Sequence, residues 1–256
     1  MDAHQILWIT TFIMLGGGLL ILATGKHRTA AEGLQTVLHG IVPIIAACLY
    51  FAMATGQGMV VLPTDAALAT GGHATRIFYF ARYIDWTFTT PLLLLSLGLT
   101  AMHGGHKRAG LLLGAALADV IMIATAFVFG ASETDWTKWT WFIVSCVAFL
   151  GVYYVIWLPQ LQANTLERDD VRTSYRRHAG ILSVVWLIYP LILAVSPDGL
   201  NIASDTVSVL VIAVLDVVAK VLYGLMAVAA DTKTTTRDLA EPHVADGVDT
   251  TRRLAA

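Results

Sequence analysis

Seven blocks of apolar residues, each long enough to cross a lipid bilayer, dominate this chain of 256 residues. They run roughly over 6–24, 33–55, 77–101, 109–130, 137–160, 177–196 and 204–229. At 1.5 Å per residue, about 20 residues cover the ~30 Å hydrocarbon core. Composition agrees, because 57% of residues are hydrophobic and only 13% are charged, against about 25% charged in a soluble domain. Mean hydropathy is +0.70. The expected fold is therefore an all-α membrane protein, a seven-transmembrane-helix bundle over residues 1–230, placed as a multi-pass protein in the cell membrane with the lipid bilayer as its surroundings. Residues 231–256 are rich in Thr, Asp and Arg and read as a polar, disordered cytoplasmic tail.

Orientation follows from the basic residues. Loops 1–2, 3–4 and 5–6 and the tail hold Lys26, Arg28, Lys107, Arg108, Arg168, Arg172, Arg176, Arg177, Lys233 and Arg237, whereas the opposite side keeps Arg76 and Lys138. This puts the N-terminus outside and the C-terminus in the cytoplasm. A signal peptide would carry its positive charge ahead of the apolar run; here Lys26 and Arg28 follow it, so the first block is kept as a helix. Within 56–75, Val60–Leu62 between glycines predicts a small surface hairpin. Cys48 and Cys146 fall in apolar blocks and read as small core residues. A net charge of −2 gives no reason to expect nucleic acid as a partner, and the histidines have no metal-ligand spacing. His27, His103, His106 and His178 read as facing water or headgroups, His73 lies in the outer loop, and His4 and His243 are terminal.

A few ionisable groups remain inside the spans: His39, Arg82, Asp85, Asp119, Asp216 and Lys220. A charge at mid-depth costs at least ~2.5–3.5 kcal/mol, so each marks a functional site or a polar contact between helices. In "VLDVVAKVLYG", Asp216 and Lys220 are i and i+4 on one face. A lysine in the middle of the last helix cannot reach either surface. One chemical use for it is a Schiff base with a carbonyl compound, whose cationic form needs a carboxylate partner. Asp85 and Asp216 are the candidates. Arg82 is three residues before Asp85. Ser96, eleven residues after Asp85, shares its face ~16 Å toward the cytoplasm. Trp86, Thr90 and Leu93 form a neighbouring stripe suited to lining an apolar cavity or to packing.

"ARYIDW" with "TTPLLLL" on helix 3, "WLIYP" on helix 6 and "LDVVAKV" on helix 7 together resemble the microbial (type 1) rhodopsins, in particular bacteriorhodopsin-like proton pumps. The likeness extends over all seven helices. It implies all-trans-retinal as cofactor, attached to Lys220. It also implies Asp85 as counterion and proton acceptor, Asp216 as second counterion, and Arg82 as the charge tuning both. Trp86, Thr90, Leu93, Met122, Phe142, Ser145, Trp186 and Tyr189 would enclose the retinal. Tyr50, with Tyr189, would bond Asp216, and Asp119 would pair with Thr90 as a protonated, structural group. Members of the family form homo-oligomers, which is the expectation here.

Departures from that pattern are informative. Ser96 stands where a bacteriorhodopsin-like pump keeps a cytoplasmic carboxylic donor, a feature shared with the xenorhodopsin and cyanobacterial sensory rhodopsin branch. Asp216 stands where those relatives often have proline. Asp198 matches one member of the proton-release pair; the other falls on Ser208, with Asp205 a turn away as substitute. Leu193 and Phe142 replace two pocket tryptophans. The implied activity is light-driven outward proton transport, not enzyme catalysis, with a His39–Ser96 pair as candidate for cytoplasmic reprotonation. Alternatives are a photosensor signalling through a transducer partner, or an inward proton pump. A chloride pump is disfavoured because Asp85 is acidic, and a sodium pump because Thr89 is neither acidic nor an amide.

Overall fold

The computed structural model describes residues 1–64, 75–105 and 107–240. Seven helices in it are long and apolar enough to cross a membrane: α1 Ala3–Thr24, α2 Ala30–Ala54, α3 Phe80–Ala101, α4 Ala109–Ala131, α5 Asp135–Asn164, α6 Asp169–Val195 and α7 Asp205–Ala240. Local chemistry marks several starts. Asp2 accepts from Gln5 N at 2.8 Å while the Gln5 side chain accepts from Asp2 N, a reciprocal cap. Thr29 caps α2 at Glu32 N, and Ser204 caps α7 at Val207 N.

Between α2 and α3, β1 (Val60–Pro63) pairs antiparallel with β2 (Thr75–Phe78), Val60 opposite Phe78 and Pro63 opposite Thr75. This is the hairpin expected from the sequence; its connecting residues 65–74, with His73, lie outside the described residues, as do His106 and His243. Proline lies within α2 (Pro43), α3 (Pro91), α5 (Pro159) and α6 (Pro190). Each removes one backbone donor, and at Pro43 the acceptor left without its i+4 partner is the His39 carbonyl. Two stretches, Ile156–Gln160 in α5 and Val217–Leu222 in α7, wind as π-helix.

Helix α7 continues to Ala240, so residues 231–240 of the expected tail are helical. The extension is tied down by ion pairs and hydrogen bonds. Arg28 donates to the Thr232 carbonyl and to Thr236, and Asp238 pairs with His103 and Arg168. The remainder of that tail, 241–256, lies outside the described residues.

Apolar side chains such as Phe12, Leu113, Leu117 and Leu150 stay exposed on the outer surface, as lipid-facing residues do. Cys48 is among the exposed residues, and Cys146 is half-buried. The expectation of a core residue is therefore corrected for Cys48, while Cys146 lines the interior of the bundle. A membrane interior is as apolar as a protein core, so hydropathy cannot distinguish the two faces of a span.

Candidate functional site

The charged residues of α3 and α7 meet at the centre of the bundle. Lys220 Nζ lies 2.5 Å from Asp85 Oδ2 and 3.0 Å from Asp216 Oδ1, and all three side chains are almost completely buried. Asp216 is held from three further directions. Tyr50 Oη donates to Oδ2 at 2.6 Å, Tyr189 Oη to Oδ1 at 2.7 Å and Trp86 Nε1 to Oδ1 at 3.2 Å. Asp85 is less supported: its Oδ1 is buried with no hydrogen-bond partner among the described residues. The two carboxylates are therefore unequal. Asp216 takes four donors, whereas Asp85 has Lys220 with Thr89 nearby.

Lys220 sits in the π-helical stretch of α7, a distortion that recurs at functional sites. Its side chain opens into a largely apolar cavity inside the bundle. All eight side chains assigned to the pocket from the sequence line it: Trp86, Thr90, Leu93, Met122, Phe142, Ser145, Trp186 and Tyr189. Ile123, Ala126, Phe129, Cys146 and Phe149 also line it and were not singled out, because apolar residues in an apolar span carry no distinguishing signal. The lining is almost wholly apolar, with the lysine and carboxylates gathered at one place. An amine entering an apolar cavity beside two carboxylates suits an elongated apolar aldehyde linked to nitrogen as a cation. Retinal has that chemistry.

Asp119 is fully buried, and its Oδ2 lies 2.5 Å from Thr90 Oγ1, which is also 2.7 Å from the Trp86 carbonyl. One hydroxyl hydrogen cannot serve both oxygens. Both contacts close if a carboxylic-acid Asp119 donates to Thr90 and Thr90 donates to Trp86.

Beyond the lysine, Ser96 and His39 are in contact, Oγ to Nε2 at 2.7 Å. Gln35, which sequence reasoning missed, completes a triad: it accepts from Ser96 Oγ at 2.6 Å and donates Nε2–H to the Ser96 carbonyl at 3.2 Å. That carbonyl fixes the amide's orientation, so the serine hydrogen is committed to Gln35 Oε1. His39 must then hold its hydrogen on Nε2 and donate it to Ser96. The lone pair is on Nδ1, which is buried and has no partner among the described residues.

At the hairpin end, Arg82 lies over the Tyr79 ring at 5.1 Å, and Tyr79 Oη donates to Asp205 Oδ2 at 3.0 Å. Asp198 pairs with Arg76, which also donates to the Gly130 and Ser132 carbonyls. The direct partner of Asp198 is therefore Arg76 on β2, while Arg82 acts on it through space. Ser208, the other position of the release pair, only donates to the Ser204 carbonyl. Burial pushes the Asp198 carboxyl up to about 6, with Arg76 pulling the other way.

The bacteriorhodopsin-like protein family model matches residues 2–234. Archaerhodopsin-2 of Halobacterium sp. (strain aus-2) is 34% identical over 225 residues, covering 87% of this chain and 83% of the relative. Among solved structures, thermophilic rhodopsin from Rubrobacter xylanophilus superposes with a TM-score of 0.80 at 33% identity, covering 90% of this chain and 96% of that one. The light-driven proton pump Coccomyxa subellipsoidea rhodopsin gives 0.79 at 29% identity, with 89% and 96% coverage.

Proposed function

Because this chain belongs to the bacteriorhodopsin-like family, we propose that it is a light-driven outward proton pump with retinal on Lys220. All-trans-retinal held by Lys220 Nζ would supply light absorption and an isomerisation. The observation that carries the reading is the unequal carboxylate pair around that nitrogen. Asp216, bonded by two tyrosines and a tryptophan, stays anionic and holds the positive charge in place. Asp85, 2.5 Å away and held by fewer donors, takes the proton. Two carboxylates against Lys220 and Arg82 leave the buried cluster close to neutral, which limits the cost of placing it in a bilayer.

Neutralising Asp85 frees the Arg82 charge to act on the carboxyls at the hairpin end, Asp205 through Tyr79 and Asp198 beside Arg76. With the basic loops in the cytoplasm, this end faces out. Asp198 can release a proton to the medium only when it holds one, so the fast appearance of protons is expected to grow as pH falls through about 6. Time-resolved indicator-dye measurements check this, and Asp198→Asn should remove the pH dependence.

The return proton comes from the opposite side, where His39 Nδ1 offers the free lone pair and Ser96 and Gln35 hold the ring in place. His39→Gln is expected to slow decay of the deprotonated state by at least tenfold at pH 8. Flash absorption over pH 5–9 checks it, and unchanged kinetics would remove His39 from the route. The direction of transport is decided by the pH of an illuminated suspension of expressing cells. Acidification abolished by a protonophore supports the outward pump. Alkalinisation means an inward pump, and no change means a photosensor.

A further inference from the structure

A second, smaller cavity lies between the His39–Ser96 pair and the basic end of the bundle. Ser96 and Thr100 line it from α3, Ser174 and His178 from α6, and Tyr223 and Asp231 from α7. It has room for about one water molecule. His178, expected from sequence to face water or headgroups, is instead only 5% exposed. Its Nδ1 lies 2.6 Å from the Ser174 carbonyl. A carbonyl only accepts, so Nδ1 carries the hydrogen and the lone pair is on Nε2. That atom is buried and makes no hydrogen bond among the described residues. The Met226 main chain also lies beside the ring.

The Tyr223 ring packs against both histidines, its centroid 5.6 Å from His178 and 5.7 Å from His39. Along α7, Tyr223, Ala227 and Asp231 are spaced by four, a single face running ~12 Å from the histidines toward the aqueous end. Asp231 is half-buried at that end. Other charges facing it from α2 are Glu32 and its Arg28 partner, which also bonds the Thr232 carbonyl. Arg177 is the charge nearest His178 on its own helix, with His39 facing it from α2.

We propose that Asp231 and His178 form the cytoplasmic proton entry of this protein, delivering protons from water to His39; this rests on the outward-pump reading above. Asp231 takes a proton from the aqueous side and gives it through the cavity to His178 Nε2. His178 keeps its Nδ1–H on Ser174 and releases the same proton from Nε2 to His39 Nδ1. Asp231 is thereby returned to a carboxylate and His178 to its neutral tautomer.

The test uses the full-length, retinal-loaded protein in lipid vesicles, comparing wild type with Asp231→Asn and His178→Gln. At pH 8 each substitution should slow the return phase at least tenfold, with the visible band and the preceding deprotonation unchanged. The wild-type return rate should be nearly flat over pH 6–8. In Asp231→Asn it should fall about tenfold per pH unit, as expected when protons arrive directly from bulk water, and millimolar azide should restore it. In the retinal-free protein, nitrogen-15 NMR should show His178 as the Nδ1–H tautomer. Wild-type return rates in both variants, or an Nε2–H tautomer, overturn the proposal. Wild type that fails to acidify its medium sinks the pump reading instead, and the return rates and tautomer still decide these two residues.

Discussion

Lys220→Ala is expected to leave the purified protein colourless with added all-trans-retinal and to abolish every light-driven pH change. Among the residues lining the large cavity, Lys220 alone carries an amine, so no second attachment point lies within reach. The loss should be complete. Removing the amine also leaves Asp85 and Asp216 without their cation, and breaking a buried pair this way costs about 3–5 kcal/mol. The variant is therefore best read beside Lys220→Ala combined with Asp216→Asn, which removes one of the two orphaned charges. An absorption spectrum checks both. A visible band surviving in either would end the assignment of Lys220 and the reading built on it.

The second large effect is expected from Asp85→Asn. An amide cannot take the proton from the Lys220 nitrogen, and positioned general bases contribute ~10²–10⁴-fold, so transport should fall below detection. The band should move to longer wavelength, because a negative charge beside the nitrogen favours positive charge localised there, and removing it eases delocalisation. Asp216→Asn should differ in kind. It breaks contacts to Tyr50, Tyr189 and Trp86, so it disturbs the pocket while leaving the acceptor in place. Laser-flash spectra of the two variants separate the roles. A deprotonated state forming at wild-type rate in Asp85→Asn would reassign the acceptor.

Much of the fold was legible because hydropathy over twenty residues reports directly on the energetics of crossing a bilayer. Each of the seven apolar blocks overlaps one helix, and the Val60–Pro63 strand was visible between its glycines. The central charges stood out for the same reason: an Asp or Lys in hydrocarbon is costly and needs a partner. Features resting on contact between distant segments were less legible. Gln35 is polar and near a helix end, so nothing in its neighbourhood announces the bonds to Ser96. His178 follows two arginines and reads as interfacial, yet its ring turns inward against Tyr223. The pairing of Asp198 with Arg76 depends on the hairpin folding back over the bundle, which local sequence does not encode. Residues 231–240 are too polar for a span, and their helix is held by partners on other elements.

The wide turn at Val217–Leu222 is equivalent to one residue inserted into an α-helix. Everything after it in α7 is out of phase with everything before it by about 100°. A helical wheel drawn through the whole helix therefore mixes two interior faces and shows neither cleanly. Forcing this turn into an ordinary helix with every residue kept would swing the Tyr223–Asp231 face about 100° away from α2 and α6, whereas deleting one residue would remove the turn and leave that face where it is. The extra residue therefore shapes the backbone around Lys220 and spares the packing of the half beyond it.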